Sequence, residues 1–262
     1  MLSIQNLSVK YGKNAVPAVQ GIHLEMKQGE IVSIVGESGS GKTTLLRAIM
    51  GCLPGSGYVA GGNIRFGDQS LADLSPEEWR NLRGTELSMI FQDSGAMLNP
   101  VRRIGSQYVE YICMHQRQEK KKAWKQATEM LEKMYLTDAD RVMRSYPFQL
   151  SGGMRQRVGI AMAMTFQPRL LLADEPTSSL DVTTQSQIVA QMLELREKYG
   201  TGILLVTHNL GTAVCMADRI IVMHDGHFAD AGTREEILNG PVSDYTRKLL
   251  ESVPAMGGER FV

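Results

Sequence analysis

Residues 30 to 49 read EIVSIVGESGSGKTTLLRAI, and this stretch decides the fold of the chain. The run IVSIV is short, β-branched and continuously apolar, as is typical of a strand covered on both faces. The apolar residues after Lys42 have helical spacing. Between the two, GESGSGKTT at residues 36–44 fits the pattern GxxxxGK[ST] in full. The stretch therefore predicts a strand, a phosphate-binding loop and a helix.

The chemistry of this loop is that of a nucleotide phosphate site. Its glycines allow backbone N–H groups to turn inward around phosphate oxygens, and the helix N-terminus adds partial positive charge. Lys42 is expected to reach the β- and γ-phosphates, and Thr43 to place its hydroxyl on Mg²⁺. An isolated match could be a glycine-rich turn, but both flanks favour phosphate binding. The predicted binding residues are Gly36, Ser38, Gly39, Ser40, Gly41, Lys42, Thr43 and Thr44.

Composition makes phosphate binding a local property of this loop. The chain has 262 residues, 43% of them hydrophobic, which fits one ordered domain with a sizeable core. Its 28 Lys and Arg balance 28 Asp and Glu, so no overall charge favours nucleic acid or an anionic membrane. Three scattered cysteines indicate neither disulfides nor zinc, and they favour a reducing cytoplasm. No apolar run approaches the roughly 20 residues of a membrane helix, so we expect other chains to supply any membrane span.

Strands that alternate with helices predict the fold class. We expect an α/β P-loop NTPase core with a mainly parallel sheet, N-terminal antiparallel β pieces and an inserted helical subdomain. Residues 1–262 are predicted to form one domain, with residues 1–93 and 166–238 as the core, 94–165 as the helical subdomain and 239–262 as a short C-terminal helix and tail. The basic run at 117–125 is interpreted as an exposed helix face, because no aromatic or glycine platform accompanies it.

Two carboxylates close the predicted strand RLLLADE. A nucleotide hydrolase needs a carboxylate at a strand end to hold its metal, and Asp174 takes that place. Because successive side chains alternate along a strand, Glu175 can instead address a water in line with the γ-phosphate. The pair could also be a plain solvated strand terminus, but its position after a phosphate loop favours the catalytic interpretation.

Two further polar residues end predicted strands. His208 closes GILLVTH and is predicted to contact the γ-phosphate or to position the attacking water, although a His at a strand end can be structural. Gln92 closes LSMIFQ and is predicted to sense Mg²⁺ and the water. The predicted catalytic residues are therefore Glu175, His208 and Gln92, and the predicted metal ligands are Thr43, Gln92 and Asp174.

Residues 146–158 read YPFQLSGGMRQRV, and their two adjacent glycines indicate that something approaches this backbone closely. Together with GESGSGKT, LLLADEP, SSLD, Tyr11, Gln92 and His208, this stretch resembles the ATP-binding subunit of an ABC transporter over nearly the whole chain. The LSGG element, which we call the signature, is highly specific in combination with the phosphate loop. The resemblance implies the ABC ATPase fold, ATP and Mg²⁺ as ligands, and hydrolysis of ATP.

The resemblance also implies roles across a head-to-tail pair of ATPases. Ser151, Gly152 and Gly153 would meet the γ-phosphate of an ATP held by the partner, with no Cβ to keep the two surfaces apart. Tyr11 would stack on adenine, and residues 179–181 would communicate across the dimer. The alternative for Ser151 is a helix cap, and both roles can hold together.

The resemblance extends to the importer branch for oligopeptides, dipeptides, nickel and metal-chelating opines, on the stretches RGTELSMIFQDSGAMLNP, SYPFQLSGGMRQRVGIAMAM and PVSDYTRKLL. The variant GGMRQRV resembles the first of the two non-identical ATPases of such importers. This implies two membrane permease subunits coupled to ATP through Gln92, a second similar ATPase, an extracytoplasmic solute-binding protein and a place at the cytoplasmic face of the membrane, with no nucleic acid. Ser94, Phe148 and Asn209 depart from the usual Pro, His and Asp of this branch, but none removes a group that hydrolysis needs.

Two details bear on the solute. Peptide importers often carry a cysteine-rich extension that binds an iron–sulfur cluster. This sequence has no cysteine after Cys215, so it is more similar to the short nickel or opine importers, and short peptide importers stay an alternative. The sequence HDGH at residues 224–227 invites a metal site, but an Asp-Gly turn between two strands explains it more simply.

Three other classes of ATPase share parts of this pattern. DNA-repair and chromosome-maintenance ATPases separate the two motif halves by a long coiled coil, whereas a short segment without sustained heptads separates Gln92 from Ser151 here. Translation-associated ABC proteins normally fuse two ATPase units in one chain, and this chain has one. An export ATPase is the closest rival within the transporter class.

Overall fold

The protein is described by a computed structural model that covers residues 1–13, 15–93, 95, 97–178, 180–251, 255–256 and 259–260. The strands are β1 Leu2–Tyr11, β2 Val19–Met26, β3 Ile31–Val35, β4 Gly57–Phe66, β5 Gln69–Ser70, β6 Leu87–Ile90, β7 Leu170–Asp174, β8 Gly202–Thr207, β9 Arg219–His224, β10 His227–Thr233, β11 Ala255–Met256 and β12 Glu259–Arg260. The α-helices are α1 Lys42–Ile49, α2 Pro76–Leu82, α3 Ile104–His115, α4 Lys120–Lys133, α5 Ala139–Arg144, α6 Gly152–Met164, α7 Val182–Tyr199, α8 Leu210–Met216, α9 Arg234–Asn239 and α10 Asp244–Glu251.

The chain divides into two compact units. The first comprises Met1–Glu78 and Gly202–Val262 and is called the phosphate-loop unit here, because it contains residues 36–44. The second comprises Trp79–Thr201 and is called the signature unit, because it contains LSGG.

The phosphate-loop unit contains two large groups of strands, besides the short antiparallel pair of β11 and β12. The N-terminal strands pair antiparallel in the order β2-β1-β4-β5. The others run in the order β10-β9-β3-β8, with β3 parallel to both of its neighbours. All five residues of β3 are buried, as its continuous apolar run predicts. Because Val35 lies opposite Thr207 on one side and Val222 on the other, the carboxyl ends of these three strands lie side by side.

An apolar cluster supports the strand that leads into the phosphate loop. Val35, the last residue of β3, packs with buried residues of α8, β9, α9 and α10. The members of this cluster are Val35, Leu210, Ala213, Val214, Ile220, Val222, Ile237 and Leu250. Residues 239–262 are predicted to contain a short helix, and α10 lies in this range and contributes Leu250 to the core.

The signature unit contains two parallel strands and the helices α3 to α7. Strands β6 and β7 are buried at every residue and pair with Ile90 opposite Ala173. Helix α4 is amphipathic, and its buried residues are Ala123, Ala127, Met130 and Leu131. The three lysines at residues 120–122 are exposed, so the basic run does lie mainly on an exposed helix face, as predicted.

The predicted fold class is confirmed. Parallel pairs form between β3, β8 and β9 and between β6 and β7, while the N-terminal strands pair antiparallel. Helices α3 to α6 all lie within residues 94–165, although the exact limits of core and helical subdomain remain a prediction. Within the predicted tail, residues 252–254, 257–258 and 261–262 lie outside the described residues.

Candidate functional site

The phosphate loop begins at the end of β3 and ends at α1, as predicted. Gly36, Gly39 and Gly41 all have positive φ, at 158°, 87° and 103°. A Cβ on Gly36 would lie 2.1 Å from the carbonyl oxygen of Met223, and one on Gly41 would lie 2.4 Å from that of Ala18. These contacts are far too short, so the loop conformation requires glycine at both positions.

Lys42 is held inside the loop. Its side chain is only 5% exposed, and Nζ donates to the carbonyl oxygen of Gly36 at 2.7 Å and to that of Glu37 at 2.6 Å. Nζ also contacts the Ser40 hydroxyl at 3.2 Å. The ammonium group therefore lies among oxygen atoms of the loop itself, where it can serve a phosphate group that the loop binds.

Two other predicted site residues of this unit, His208 and Tyr11, lie close to the loop in the fold, although they are distant from it in the sequence. His208 is exposed and directly follows Thr207, which pairs with Val35, so it lies at the strand end beside Gly36. Tyr11 ends β1, and its hydroxyl lies 3.3 Å from the Thr44 hydroxyl at the start of α1. Of the two loop serines predicted to bind phosphate, Ser38 is exposed and Ser40 is only 5% exposed.

The signature unit holds the predicted carboxylates at the end of β7. Asp174 is 2% exposed, whereas Glu175 is half-buried, in keeping with the expected alternation. Glu175 has φ 45°, a left-handed conformation that is uncommon for a residue with a side chain. Strain of this kind is concentrated at functional positions. The sequence does not reveal it, because Glu175 follows a regular strand.

Gln92 and Glu175 are in contact. The side-chain amide of Gln92 donates to Oε2 of Glu175 at 3.3 Å, across 83 residues of sequence. The pairing of Ile90 with Ala173 explains this proximity, because it aligns the carboxyl ends of β6 and β7. The structure therefore brings together two of the three predicted catalytic residues, and His208 is described within the other unit.

The signature forms the N-terminus of α6. Ser151 is the N-cap, and its hydroxyl accepts from the amide of Met154 at 3.2 Å. The helix-cap role that the sequence left open is therefore present, and the serine and Gly152 are both exposed. Among the described residues, a Cβ on Gly152 would find only Leu180 Cδ2, at the ordinary distance of 3.8 Å, whereas one on Gly153 would lie 2.8 Å from Cγ2 of Thr184. Glycine is therefore favoured at position 153 by the close packing of Thr184 on the same chain, which the sequence did not indicate.

The side chains of two glutamines and one aspartate form hydrogen bonds that hold the segment between Glu175 and α7 in place. Gln156, which is 6% exposed on α6, donates to the carbonyl oxygen of Pro176 at 2.7 Å. Gln185 donates to the carbonyl oxygens of Thr177 and Leu180 at 3.0 and 2.9 Å. Asp181 caps α7, and the amide and hydroxyl of Thr184 that donate to it hold its pKa below the ordinary value.

Gln156 is a functional candidate that sequence reasoning missed. A buried glutamine on a helix whose face is otherwise apolar needs a partner, and this one joins the signature helix to the residue after Glu175. The only signal in the sequence is a polar residue at a helix position that faces the core. That signal names no partner.

Two of the three departures from the branch pattern, Asn209 and Phe148, lie in the described part of the chain. Asn209 caps α8 and accepts from the amide of Thr212 at 3.2 Å, as the usual aspartate could. Phe148 is 69% exposed and stacks on Tyr146 with ring centroids 5.5 Å apart. Ser94 and Ser179 lie outside the described residues, so the predicted communicating loop is described only at Leu180 and Asp181.

The HDGH stretch forms the predicted turn. Asp225 and Gly226 have φ 44° and 79°, and they connect β9 to β10 in an antiparallel pair. Among the described residues there is no group of three or more His, Cys, Asp or Glu side chains placed to hold a metal ion. Within the residues that the structure describes, no helix is both long and apolar enough to cross a bilayer.

Comparison with known proteins places the chain in a family. The sequence pattern of the ABC transporter family matches residues 19–178. The oligopeptide transport ATP-binding protein AppD of Bacillus subtilis is 42% identical over 262 residues, which is 99% of this chain and 80% of the relative. The dipeptide transport ATP-binding protein DppD of the same organism is 44% identical over 98% of this chain and 77% of its own length. DppD of Escherichia coli is 42% identical over 99% of this chain and 80% of its own length.

Solved structures agree with the sequence comparison. The dimeric structure of MJ0796, a bacterial ABC transporter cassette, superposes with a TM-score of 0.80 at 29% identity and covers 89% of this chain and 99% of that one. A dimeric post-hydrolysis state of the same cassette bound to ADP and Pi gives a TM-score of 0.79. The sequence and structure comparisons agree, and the chain is an ATP-binding, ATP-hydrolysing member of the ABC transporter family.

Proposed function

We propose that the chain is the energy-coupling ATPase of a peptide importer and that it works in a head-to-tail dimer with a second, similar ATPase. One observation carries this proposal. The chain contains two elements that suit a phosphate group, a loop that encloses the Lys42 ammonium and an exposed helix N-terminus at Ser151 and Gly152. The exposed element is explained if it serves a nucleotide that another chain holds.

ATP and Mg²⁺ fit the residues that the chain provides. The Lys42 ammonium and the glycine backbone suit the β- and γ-phosphates, because a Cβ would fill the cradle at Gly36 and Gly41. Mg²⁺ prefers oxygen ligands, and Thr43, Asp174 and Gln92 supply a hydroxyl, a carboxylate and an amide oxygen. When bound, Mg²⁺ would neutralise charge on the phosphates. Tyr11 is assigned to adenine, since it ends β1 with its hydroxyl at the start of α1.

Glu175 is assigned as the general base. Its carboxylate takes a proton from the attacking water as the water oxygen bonds to the γ-phosphorus and the bond to the β-phosphate oxygen breaks, which yields ADP and phosphate. Gln92 supports this role because it holds Oε2 of Glu175 by a hydrogen bond. His208 is assigned to the γ-phosphate, from its position at the strand end beside Gly36. The signature of the partner would complete the charge stabilisation.

The partners follow from the same assignment. The chain would lie at the cytoplasmic face of the membrane, docked on two permease subunits that bind solute delivered by an extracytoplasmic protein. The heterodimer is supported by the GGMRQRV form of the signature, and the dimeric form by the solved MJ0796 cassette. Peptides are the favoured solute because the relatives with 42–44% identity are named for oligopeptide and dipeptide transport. Nickel and opine-type chelates are the alternatives to test.

The substitution Glu175→Gln tests the catalytic assignment. It keeps the shape of the side chain and the contact to Gln92 but removes the base, so steady-state phosphate release should fall at least about 100-fold while ATP stays bound and the dimer stays closed. Phosphate release and ATP affinity would be measured on the complex with the second ATPase and the permeases. Glu129→Gln, at an exposed position of α4, is the matched control and should leave turnover unchanged. Normal turnover of Glu175→Gln would refute the general-base role.

The solute is tested on the same complex in vesicles. We expect a dipeptide or oligopeptide, together with the solute-binding protein, to stimulate ATP turnover and to enter the vesicles. Stimulation by nickel or an opine chelate with no response to peptides would contradict the peptide assignment and leave the ATPase assignment intact.

A further inference from the structure

A tyrosine of the C-terminal helix contacts the phosphate loop. The backbone amide of Glu37, the second residue of the loop, donates to the hydroxyl oxygen of Tyr245 at 3.2 Å, across 208 residues of sequence. The carbonyl oxygen of the same Glu37 accepts from Nζ of Lys42. Glu37 is thus held by Lys42 on the side of the phosphate cradle and by Tyr245 through its amide.

The ring of Tyr245 is fixed by a second contact. It stacks on His224 with ring centroids 3.9 Å apart and an angle of 20° between the planes. His224 directly follows Met223, whose carbonyl oxygen lies against Gly36. In the turn that follows, the amide of Gly226 donates to the carbonyl oxygen of Ser40 at 3.0 Å. The end of β9 and the turn after it therefore pack against the phosphate loop, and Tyr245 packs against the same end of β9 through His224.

Helix α10 is held in position by contacts at both of its ends. The Ser243 hydroxyl accepts from the amide of Tyr245 at 3.1 Å, and the Ser243 amide donates to Asp230 of β10 at 2.9 Å. Leu250, at the other end of the helix, is 3% exposed in the cluster that contains Val35. Both ends of α10 are fixed to strands that support the loop, so the Tyr245 hydroxyl has a defined position.

The protonation state of the phenol suits this contact. Partial burial raises the pKa of Tyr245, and the nearby Glu37 and Asp225 carboxylates add to the rise against the lowering effect of the Glu37 amide. The hydroxyl therefore keeps its proton at neutral pH, with its oxygen available to accept from the backbone.

We propose that Tyr245 is a positioning residue that holds the phosphate loop in its nucleotide-binding conformation. This inference rests on the proposed function, because it concerns the affinity of the same loop for ATP. A loop that must be rearranged before it binds has a weaker apparent affinity, in proportion to the fraction of molecules that are competent. Loss of the hydroxyl should lower that fraction, whereas the chemistry at Glu175 should proceed unchanged once ATP is bound.

The test is the binding of Mg-ATP and Mg-ADP to the full chain, measured by titration calorimetry. Tyr245→Phe keeps the stack on His224 and removes the hydrogen bond, and we expect both nucleotides to bind about 3- to 10-fold more weakly, the range of one net hydrogen bond. His224→Ala keeps the hydroxyl and removes the stack, and should weaken binding in the same direction. In the assembled complex the KM for ATP should rise by the same factor for Tyr245→Phe, with kcat at saturating ATP unchanged.

The control is Tyr135→Phe, which removes another phenol hydrogen bond, to Glu194 at 3.0 Å on an exposed surface of the signature unit. It should bind ATP like the unmodified chain, and circular dichroism at the assay temperature checks that every variant is folded. Equal ATP affinity of Tyr245→Phe and the unmodified chain would overturn the positioning role, as would a fall in kcat without a change in KM. Failure of the unmodified chain to bind ATP would instead overturn the proposed function itself.

Discussion

The phosphate loop and the signature both place glycines just before or within the first turn of a helix, but the two sets of glycines are required for different reasons. In the phosphate loop, Gly36 and Gly41 have positive φ and lie against backbone oxygens of Met223 and Ala18. In the signature, a Cβ on Gly152 would make only one ordinary contact with the described residues, to Leu180. The phosphate loop therefore needs its glycines in order to fold, whereas Gly152 has no such need within the described chain.

The difference indicates where each glycine acts. A glycine whose Cβ would clash inside the chain reports on the chain's own conformation. A glycine that is exposed, helical and free of close contacts points to something that approaches from outside, which supports the proposed partner nucleotide. Gly153 is intermediate, since its neighbour is the methyl group of Thr184 on the same chain.

The largest expected effect is that of Gly41→Ala. The new Cβ combines a left-handed φ of 103° with a 2.4 Å approach to the carbonyl oxygen of Ala18, so the free energy of unfolding should fall by about 2 to 5 kcal/mol. Urea unfolding followed by circular dichroism measures it. Gly39→Ala is the matched control, because Gly39 has φ 87° but no atom of the other described residues apart from its chain neighbours lies within 4 Å of the new Cβ, and it should cost only about 1 to 2 kcal/mol. Equal losses at the two positions would mean that the close approach is not what fixes the loop.

The next largest effect is that of Gly152→Ala, which should lower ATP turnover in the complex without changing the stability of the isolated chain. Gly152→Ala should leave the free energy of unfolding of the isolated chain within about 0.5 kcal/mol, because its Cβ has room at the start of α6. In the assembled complex the same change should lower ATP turnover about 10- to 100-fold, since the new methyl group displaces the signature from the partner nucleotide. Normal turnover in the complex would show that nothing approaches this backbone.

Gly153→Ala should affect the chain itself. The Cβ would lie 2.8 Å from Cγ2 of Thr184, and we expect the free energy of unfolding to fall by about 1 to 2 kcal/mol. Thr184→Ser removes that methyl group and keeps the hydroxyl that donates to Asp181, so the double variant should recover most of the loss. If Thr184→Ser gives no recovery, the contact between α6 and α7 is not the reason for this glycine.

The smallest effect concerns the link from the signature helix to Glu175. Gln156→Met keeps the size of the side chain but leaves the Pro176 carbonyl without its 2.7 Å donor, so kcat at saturating ATP should fall about 3- to 10-fold with ATP affinity unchanged. Gln191→Met, at another glutamine that is only 5% exposed, is the control for a general disturbance of the interior and should keep kcat. A loss of ATP affinity instead of kcat would contradict a role at Glu175.

Much of the fold and of the site could be predicted because their signals are local. The run IVSIV predicts a buried strand, and all five residues of β3 are buried. The pattern at residues 36–44 predicts a glycine loop between a strand and a helix, and Gly36, Gly39 and Gly41 have the positive φ that glycine allows. The N-cap role of Ser151 is local as well, since the hydroxyl bonds an amide three residues ahead. Each of these features depends on residues that are close together in the sequence.

Three features could not be predicted, because they join residues that are distant in the sequence. The contact of Tyr245 with Glu37, the bond from Gln156 to Pro176 and the approach of Thr184 to Gly153 each arise from the packing of separate elements. Nothing in the local sequence of Tyr245 distinguishes it from a tyrosine that packs in a core. The strained φ of Glu175 is equally invisible, because the backbone there is set by β7 and by the segment that Gln156 and Gln185 fasten.

The sequence by itself determined which chemical groups the chain carries and the local backbone shapes that glycine, capping residues and apolar periodicity impose. Only the tertiary structure decided which of these groups support one another, because strand register and helix packing set distances between residues up to 208 positions apart. The register of β6 with β7 brings Gln92 to Glu175, and the seating of α10 brings Tyr245 to the phosphate loop. A hydrogen bond requires a separation of about 3 Å, and only the folded core fixes positions that closely.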